Sequence, residues 1–393
     1  MHFFTSITAN YIPKARVLAK SVKQHNPDAF FHLMISDAVP EALKNERDPF
    51  DRIITPEELA IPNLPGWIFK HSVVELCTAV KGAAFSWIFE NTDADKVVYL
   101  DPDIVVLYHL SELDAILSSH SIVLTPHLVE PERTHDAIMD NEICSLKHGV
   151  FNLGFLGLRK DKEGIRFLNW WRDRLIDYCY DDIPGGIFTD QRWVDLAPCF
   201  FDNILILRDK SYNVATWNLT HRPVHRRKGI LEVDGAPIKF FHFSGFDSGA
   251  QSLMLVKYAN PQSPLFELRE WYLSRLAEEG QNEYGEMACI YGVFSNGETI
   301  TPEHRVVYRE RQDLQAAFPL PAEVREDGPC YYAWFKNQWP LEKSTFPGIL
   351  AKLGTKSNEN PKVNIDRMLT DGGKLRRLAF RWALKIFLSS RVG

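Results

Sequence analysis

Short apolar runs separated by polar residues recur along the first part of the chain, and their length is typical of buried strands. Residues 2–8 and 29–35 are two such runs, and the residues between them, 11–25, carry apolar side chains near helical spacing. A strand, a helix and a second strand in this order favour a parallel sheet with a right-handed crossover. Such sheets bind ligands beyond the carboxyl ends of their strands, which is where Thr8 and Tyr11 stand.

The same patterns predict further elements of an α/β fold. These are helices over residues 73–91 and 165–180 and strands over residues 121–125, 150–158 and 238–243. Helical patterns dominate later, at residues 265–279 and 303–317. We therefore expect three units: a Rossmann-like, mixed but mainly parallel sheet flanked by helices over residues 1–250, a helical C-terminal region over residues 251–365, and a tail over residues 366–393.

The run over residues 97–107 places two carboxylates, Asp101 and Asp103, between two blocks of β-branched and aliphatic residues. Two neighbouring like charges at the end of a buried strand are costly unless another charge compensates them. A divalent cation does so directly, and Mg²⁺ or Mn²⁺ prefers such oxygen ligands together with substrate phosphates. Asp-Pro-Asp is also good turn chemistry, so a plain turn stays open as an alternative.

Composition excludes several classes of protein. The chain has 393 residues, 45% hydrophobic and 24% charged, which is typical of a globular protein. Its net charge of -6 provides no overall basic surface for nucleic acid. Six scattered cysteines without a Cys-x-x-Cys pair argue against a zinc site and a disulfide framework. With no leader-like segment and no apolar run long enough to span a bilayer, we expect a reduced, cytoplasmic protein.

An ordered set of motifs carries a family resemblance. The set comprises Asn10-Tyr11, Tyr99-Leu100-Asp101-Pro102-Asp103, Phe151-Asn152-Leu153-Gly154, Asp190-Gln191, Tyr212-Asn213-Val214 and His242-Phe243-Ser244-Gly245. Together they resemble the retaining glycosyltransferases of family 8, the group that includes glycogenin and bacterial lipopolysaccharide galactosyltransferases. Trp217-Asn218-Leu219, taken with residues 241–247, also resembles related bacterial polysaccharide glycosyltransferases. The resemblance covers roughly residues 1–250 and implies a GT-A-type fold for that unit.

The resemblance also implies roles for individual residues. The implied metal ligands, for Mn²⁺ or Mg²⁺, are Asp101, Asp103 and His242. The implied catalytic pair near the anomeric carbon of the donor sugar is Asp190 and Gln191. The implied donor-binding residues are Thr8, Tyr11, Lys81, Asn152, Gly154 and Gly245. Purely structural alternatives exist for three of these residues: His242 as a packed core histidine, Lys81 as a solvent-facing lysine, and Asp190 as part of a helix cap.

One departure from the family pattern concerns the phosphate-binding lysine. Family members follow the His-x-x-Gly motif with Lys-Pro-Trp, whose lysine meets the diphosphate. Here Gly245 is followed by Phe246-Asp247-Ser248, without a lysine. The basic run at residues 221–222 and 225–228 is a candidate replacement, although such runs are usually solvated loops.

The implied function is a metal-dependent, retaining hexosyltransferase of bacterial surface polysaccharide synthesis. Its implied partners are a nucleotide sugar, with a UDP-sugar favoured, and a glycan or lipid-linked saccharide acceptor. Two other classes stay open: a sugar-phosphate nucleotidyltransferase and a non-catalytic carbohydrate-binding protein. The first lacks the Gly-rich, basic loop after the N-terminal strand that would hold a triphosphate.

The C-terminal tail has the pattern of a basic amphipathic helix. Its apolar face comprises Leu375, Leu378, Ala379, Trp382 and Ile386, and a basic stripe beside it comprises Lys374, Arg377, Arg381 and Lys385. This pattern suits an anionic membrane surface, so residues 372–393 predict peripheral association with the cytoplasmic face of the inner membrane. The alternative is a terminal helix docked on its own domain or on a partner subunit.

Overall fold

The structure is a computed structural model that describes residues 1–44 and 48–358. Its strands are β1 His2–Ile7, β2 Phe30–Ile35, β3 Arg52–Ile54, β4 Lys96–Leu100, β5 Ile104–Val106, β6 Ile122–Pro126, β7 Phe151–Arg159, β8 Asp181–Asp182, β9 Ile187–Phe188, β10 Ile204–Ile206, β11 Val214–Ala215, β12 Val224–Arg227, β13 Ile230–Val233, β14 Ala236–Pro237 and β15 Phe240–His242.

The helices that flank these strands are α1 Ile12–His25, α2 Leu64–Phe69, α3 Val73–Asn91, α4 Ser111–Ser119, α5 His135–Ala137, α6 Ile143–His148, α7 Lys162–Tyr178, α8 Gln191–Val194 and α9 Ala197–Phe200. The helices of the C-terminal region are α10 Ala250–Tyr258, α11 Leu265–Glu278, α12 Gln281–Tyr284, α13 Pro302–Glu310, α14 Gln312–Ala317, α15 Tyr331–Asn337, α16 Trp339–Glu342 and α17 Pro347–Asn358.

A seven-stranded sheet in the order β10-β6-β7-β4-β1-β2-β3 forms the centre of the fold. Strand β1 runs parallel to β2 and β4, β2 to β3, and β10 to β6. Only β7 among these seven strands runs against its neighbours, β4 and β6. The predicted fold class, a mixed and mainly parallel sheet between helices with a helical C-terminal region, is confirmed.

Alternation of side chains along the strands places helices on both faces of this sheet. Phe4 points to one face, where its ring meets Phe85 of α3 with centroids 4.7 Å apart. Phe3 points to the other face and joins a core with Leu18 of α1 and Leu113 of α4. Because both faces are covered, the strands are apolar at nearly every position, which explains the continuous runs in the sequence.

A second, three-stranded sheet in the order β11-β15-β5 extends the first. Strand β5 follows β4 after the three residues Asp101-Pro102-Asp103, and β15 pairs antiparallel with β5 so that His242 lies opposite Ile104. This register brings a residue from late in the chain beside the aspartate motif.

The C-terminal region packs on the sheets through two groups of helices. Helices α10 and α11 share a core with the second sheet, where the rings of Tyr272 and Phe243 stack with centroids 4.0 Å apart. Helices α13 to α17 form another core around Phe69, Tyr308 and Tyr331. Within the described residues, no helix combines the length and apolar content needed to cross a bilayer. The predicted tail, residues 372–393, lies outside the described residues, and the proposed unit limits stay predictions.

The helical segment expected at residues 303–317 is helical but is divided into two helices. Arg311 adopts an extended conformation (φ -115°, ψ 92°), so α13 ends at Glu310 and α14 begins at Gln312. The side chain of Gln315 donates to the carbonyls of Tyr308 and Arg309, at 3.0 and 2.9 Å. These bonds satisfy carbonyls that the broken helix leaves open.

Arg305 of α13 attaches the C-terminal helices to the sheet domain. Its guanidinium is buried and donates to the carbonyls of Phe69, His71 and Tyr291, at 3.0, 2.6 and 2.6 Å. Several charge-assisted bonds from one side chain bind three separate segments together.

We expect Arg305→Met to lower the free energy of unfolding by about 3 kcal/mol, because it removes these bonds and leaves buried carbonyls unsatisfied. Urea denaturation followed by tryptophan fluorescence measures this change. Arg325→Met is the matched control, since the Arg325 side chain is exposed and pairs with the exposed Glu323 two residues away; we expect a loss below about 0.5 kcal/mol. Equal losses in the two variants would contradict the attachment.

Candidate functional site

The carboxyl ends of β1 and β4 meet at one edge of the sheet, because the two strands are parallel neighbours. The segment from Thr8 to Tyr11 follows β1, and Asp101 follows β4. The backbone amide of Phe243 donates to the carbonyl of Asp103 at 2.9 Å, which fixes the end of β15 against the same edge.

Asp101, Asp103 and His242 form a compact triad, whose ligand atoms all lie within 4.8 Å of one another. The Nε2 atom of His242 is 3.0 Å from Asp103 Oδ1 and 3.7 Å from Asp101 Oδ2. The side chain of His242 is only 2% exposed, while those of Asp101 and Asp103 are 28% and 18% exposed. The triad is therefore anchored in the interior and open towards solvent on its carboxylate side.

Asn213 orients the imidazole of His242. The Nδ1 atom of His242 lies 3.3 Å from Asn213 Oδ1, and an amide oxygen can only accept, so Nδ1 carries a hydrogen. The amide orientation of Asn213 is itself supported, because its Nδ2 donates to Thr125 and Asn152, at 3.0 Å each. Nε2 consequently faces the two carboxylates, as in metal sites whose histidine is oriented by an outer partner.

The charges of the triad shift each other's pKa values. Burial lowers the pKa of His242, but Asp103 and then Asp101 raise it, and the net result is a pKa above the usual value. Burial raises the pKa of Asp103, but His242 lowers it further, so that carboxyl has a depressed pKa. The raised pKa of His242 means that a proton competes with a cation for Nε2.

Lys81 joins the triad to Asp190. Its Nζ lies 2.9 Å from Asp190 Oδ2, 3.4 Å from Asp101 Oδ1 and 3.1 Å from the carbonyl of Leu153. The ring of Tyr99 lies 4.0 Å from the ammonium, and the Tyr99 hydroxyl donates to Asp101 at 2.6 Å. Because Lys81 is 2% exposed, the alternative of a solvent-facing lysine is wrong.

Asp190 and Gln191 are both buried and firmly held. Thr189, at a positive φ of 42°, donates to Asp190 Oδ1 at 3.1 Å. Asp190 stands at the start of α8 but its side chain makes no cap hydrogen bond, so the capping alternative is wrong because Lys81 and Thr189 hold the carboxylate instead. Burial raises the pKa of Asp190, and the Lys81 ammonium opposes that shift.

Both polar atoms of the Gln191 amide make hydrogen bonds with the backbone. Its Oε1 accepts from the Leu153 amide at 3.0 Å, and its Nε2 donates to the His148 carbonyl at 2.9 Å. Gln191 thus connects β7 with the end of α6 and fixes the wall of the site next to Asp190.

Gly154 lies where a side chain has no room. A Cβ at this position would be 2.5 Å from His242 Cε1, 2.8 Å from Asn152 Oδ1 and 2.9 Å from Asp101 Oδ2. The glycine in strand β7 therefore marks a close approach of the triad to the backbone. Asn152 supports this contact, since its Oδ1 accepts from the Gly154 amide at 3.2 Å.

The remaining predicted donor residues line the same edge. Thr8 is buried and donates to Asn10 Oδ1 at 2.7 Å. The Tyr11 hydroxyl donates to Asp247, and one face of its ring is covered by Lys14, whose Nζ is 3.9 Å from the ring centroid. Gly245 has a φ of 76°, a left-handed conformation that favours glycine.

The basic run after residue 220 is partly used by the fold itself. Arg222 is buried, and its guanidinium donates to the carbonyls of Lys210 and Tyr212, at 3.0 and 2.6 Å. His221 lies 3.3 Å from a carboxylate oxygen of Glu132. These two side chains of the run therefore have local structural partners.

Four further residues contact the site without having been assigned to it from the sequence: Tyr99, Asn213, Trp217 and Lys14. The first three stand in motifs that carry the family resemblance, and the ring of Trp217 packs edge-on against His242 with centroids 5.2 Å apart. Their position in those motifs could have assigned them to the site from the sequence. Lys14 stands in an ordinary helical pattern, which provides none.

No protein-family model matches this chain. Two curated proteins of Bacillus subtilis (strain 168), both described as uncharacterized, are similar in sequence. YfnD is 25% identical over 250 residues, which are 62% of this chain and 78% of YfnD. YfnF is 27% identical over 158 residues, 40% of this chain and 51% of YfnF.

Solved glycosyltransferases are among the structures to which the chain is similar. The galactosyltransferase LgtC, crystallised with donor and acceptor sugar analogs, is 19% identical, with 73% of this chain and 98% of LgtC covered at a TM-score of 0.40. GlyE of Streptococcus pneumoniae TIGR4 is 16% identical, with 75% and 66% covered at 0.41. Mouse xyloside xylosyltransferase 1 is 16% identical, with 62% and 97% covered at 0.38.

The buried pair of Lys81 and Asp190 predicts a strongly coupled mutant cycle. We expect Lys81→Met to lower the free energy of unfolding by about 3 kcal/mol at neutral pH, because it leaves a buried carboxylate without its cation. Lys81→Met combined with Asp190→Asn should be within about 1 kcal/mol of the wild type, since the buried Asp190 carboxylate is removed together with its cation, while Asp101 is 28% exposed and keeps the Tyr99 hydrogen bond. Urea denaturation of the wild type, of Lys81→Met, of Asp190→Asn and of the double variant measures the cycle. If the losses in free energy of unfolding of the two single variants simply added in the double variant, the coupling would be contradicted.

Proposed function

We propose that this chain is a metal-dependent glycosyltransferase that moves a hexose, with retention, from a nucleoside diphosphate sugar to a glycan or lipid-linked acceptor in surface polysaccharide synthesis. One observation carries the proposal: the open triad of Asp101, Asp103 and His242 stands directly beside the buried pair of Lys81 and Asp190. A cation site and a fixed carboxylate at one sheet edge are what the departure of a diphosphate from a sugar requires.

The triad suits Mn²⁺ or Mg²⁺ as a cofactor. Two carboxylate oxygens and one imidazole nitrogen converge within 4.8 Å, and this donor set matches Mn²⁺ well. Within the described residues, His242 and Lys81 face the two aspartates, and Lys81 also pairs with Asp190, so a divalent cation in place of the imidazole proton would offset the remaining carboxylate charge. When bound, it would offset the negative charge that develops on the leaving diphosphate.

Asp190 is the group proposed to face the anomeric carbon. Glycosyl transfer passes through a state with positive charge on the sugar ring, and a nearby carboxylate stabilises that charge. Lys81 and Thr189 hold the Asp190 carboxylate, and Gln191 fixes the adjacent wall, so the group requires little reorganisation when the charge appears. The retaining outcome rests on the family resemblance.

The nucleotidyltransferase alternative has less support. The segment from Thr8 to Tyr11 after β1 contains no glycine, and α1 has Pro13 in its first turn, which lacks a backbone N–H for a phosphate. The non-catalytic alternative is also weaker, because a protein that only binds sugar has no need for the buried ion pair of Lys81 and Asp190.

The proposal is tested by the melting temperature of the purified protein with a panel of nucleoside diphosphates and nucleotide sugars, with and without Mn²⁺. A ligand that binds only the folded state raises the melting temperature. We expect an increase that needs both the nucleotide and Mn²⁺, and that Asp103→Asn abolishes. An unchanged increase in excess chelator would contradict the metal role, and release of pyrophosphate from a nucleoside triphosphate and a sugar phosphate would favour the nucleotidyltransferase.

A pair of glycine variants on strand β7 tests the triad's geometry. We expect Gly154→Ala to weaken Mn²⁺ binding by about tenfold or more, because the new methyl group displaces His242 and Asp101. Gly157→Ala is the matched control, since its nearest neighbours are apolar side-chain atoms at 3.4 Å, and its Mn²⁺ affinity should equal that of the wild type. Isothermal titration calorimetry measures both. Equal affinity in the two variants would show that the triad is not the metal site.

A further inference from the structure

A buried lysine stands in the first turn of α1, at the edge where the proposed donor binds. The side chain of Lys14 is 3% exposed, although an ammonium group is costly to bury without a partner. Its partner is Asp247, whose Oδ2 lies 2.5 Å from Lys14 Nζ. The Asp247 side chain is 53% exposed, so the pair joins an interior cation to a surface carboxylate.

The same carboxylate oxygen also accepts a hydrogen bond from the hydroxyl of Tyr11. The Tyr11 ring and Lys14 are in direct contact, at 3.9 Å from Nζ to the ring centroid. The ammonium and the hydroxyl therefore converge on one oxygen atom. A phosphate oxygen is an equivalent acceptor for the same two donors, and a charged acceptor makes both bonds stronger.

This oxygen position is close to the triad. Tyr11 and Lys14 follow β1, which is paired with β4, and Asp247 is in the loop that follows His242. Burial raises the pKa of Asp103, and Lys14 is among the charges that lower it, together with the larger effect of His242. Lys14 is thus within electrostatic reach of the Asp103 carboxylate, one of the two that would hold the cation.

The other lysine at the triad already has anionic partners in the protein. Lys81 faces Asp101 and Asp190 and is buried beside them. Lys14, in contrast, depends on a carboxylate from a loop that is flanked by Gly245 and Gly249, both at positive φ. A bound diphosphate could take the place of that loop carboxylate without leaving Lys14 unpaired.

We propose that Lys14 and the Tyr11 hydroxyl bind a diphosphate oxygen of the donor, and that Asp247 occupies this position until the donor replaces it. This inference rests on the proposed function and names residues for the diphosphate contact that the missing lysine after Gly245 would otherwise make. Asp247 then acts as an internal competitor, which lowers the apparent affinity of the donor.

The experiment compares a nucleoside diphosphate with its nucleoside. UDP, dTDP, GDP, CDP and ADP are first titrated into the wild-type protein with Mn²⁺, and the tightest binder and its nucleoside are then titrated into the variants. The variants are Lys14→Met, Tyr11→Phe and Asp247→Asn. Lys20→Met is the control, because Lys20 is on the same helix and paired with Glu279 at 2.6 Å, but 54% exposed.

We expect Lys14→Met to weaken diphosphate binding about ten- to hundredfold and nucleoside binding less than about twofold. Tyr11→Phe keeps the ring and removes the hydroxyl. It should weaken diphosphate binding by about three- to tenfold and leave nucleoside binding unchanged. Asp247→Asn removes the competing charge and should strengthen diphosphate binding about threefold or more. Lys20→Met should match the wild type.

Other results would overturn the inference. Equal weakening of diphosphate and nucleoside by Lys14→Met would mean that Lys14 only packs the site, and weaker diphosphate binding in Asp247→Asn would exclude competition. If Lys14→Met does not fold, Lys14→Arg, which keeps the charge, and Asp247→Asn decide the question. Wild-type protein that binds no diphosphate would refute the proposed function, whereas wild-type binding with unaffected variants would refute only this inference.

Discussion

Two like charges at the junction of β4 and β5 are the constraint on which the rest of this structure depends. Asp101 and Asp103 stand where two buried strands meet, and they repel each other in a region of low dielectric. The two carboxylates are stabilised at short distance by His242, by Lys81 and by a hydrogen bond from the Tyr99 hydroxyl. This arrangement requires buried charged groups, which are costly to desolvate and which a turn with only a structural role would not need.

The geometry around these charges is set by small and neutral residues. Gly154 lets the backbone of β7 approach His242 and Asp101, and Asn213 fixes the direction of the imidazole. Asn152 connects Gly154 with Asn213, because its Oδ1 accepts hydrogen bonds from the Gly154 backbone amide and from the Asn213 side-chain amide. The protein therefore orients these groups through its own hydrogen bonds and packing, and such preorganised groups stabilise a developing charge.

Much of the fold was predictable, because strands covered on both faces have continuous apolar sequences. Helix α3 has the expected bounds, and strand β1 ends one residue before its expected end. The aspartate motif could be recognised as chemical because it interrupts such a run. Contacts made by single side chains across the fold were not predictable: the pairing of Lys14 with Asp247 joins residues 233 positions apart, and no local pattern reports it. The break at Arg311 is accompanied by hydrogen bonds from the Gln315 side chain to the carbonyls of Tyr308 and Arg309, which the helical pattern of the sequence does not indicate.

We propose that the triad holds a divalent cation beside the donor's diphosphate. The most direct measurement is an anomalous difference map from crystals grown with Mn²⁺ and a nucleoside diphosphate, collected near the manganese absorption edge. We expect one strong peak within coordination distance of Asp101, Asp103 and His242 Nε2, in contact with a phosphate oxygen. A well-ordered nucleotide with no anomalous peak at the triad, or with manganese bound elsewhere, would contradict it.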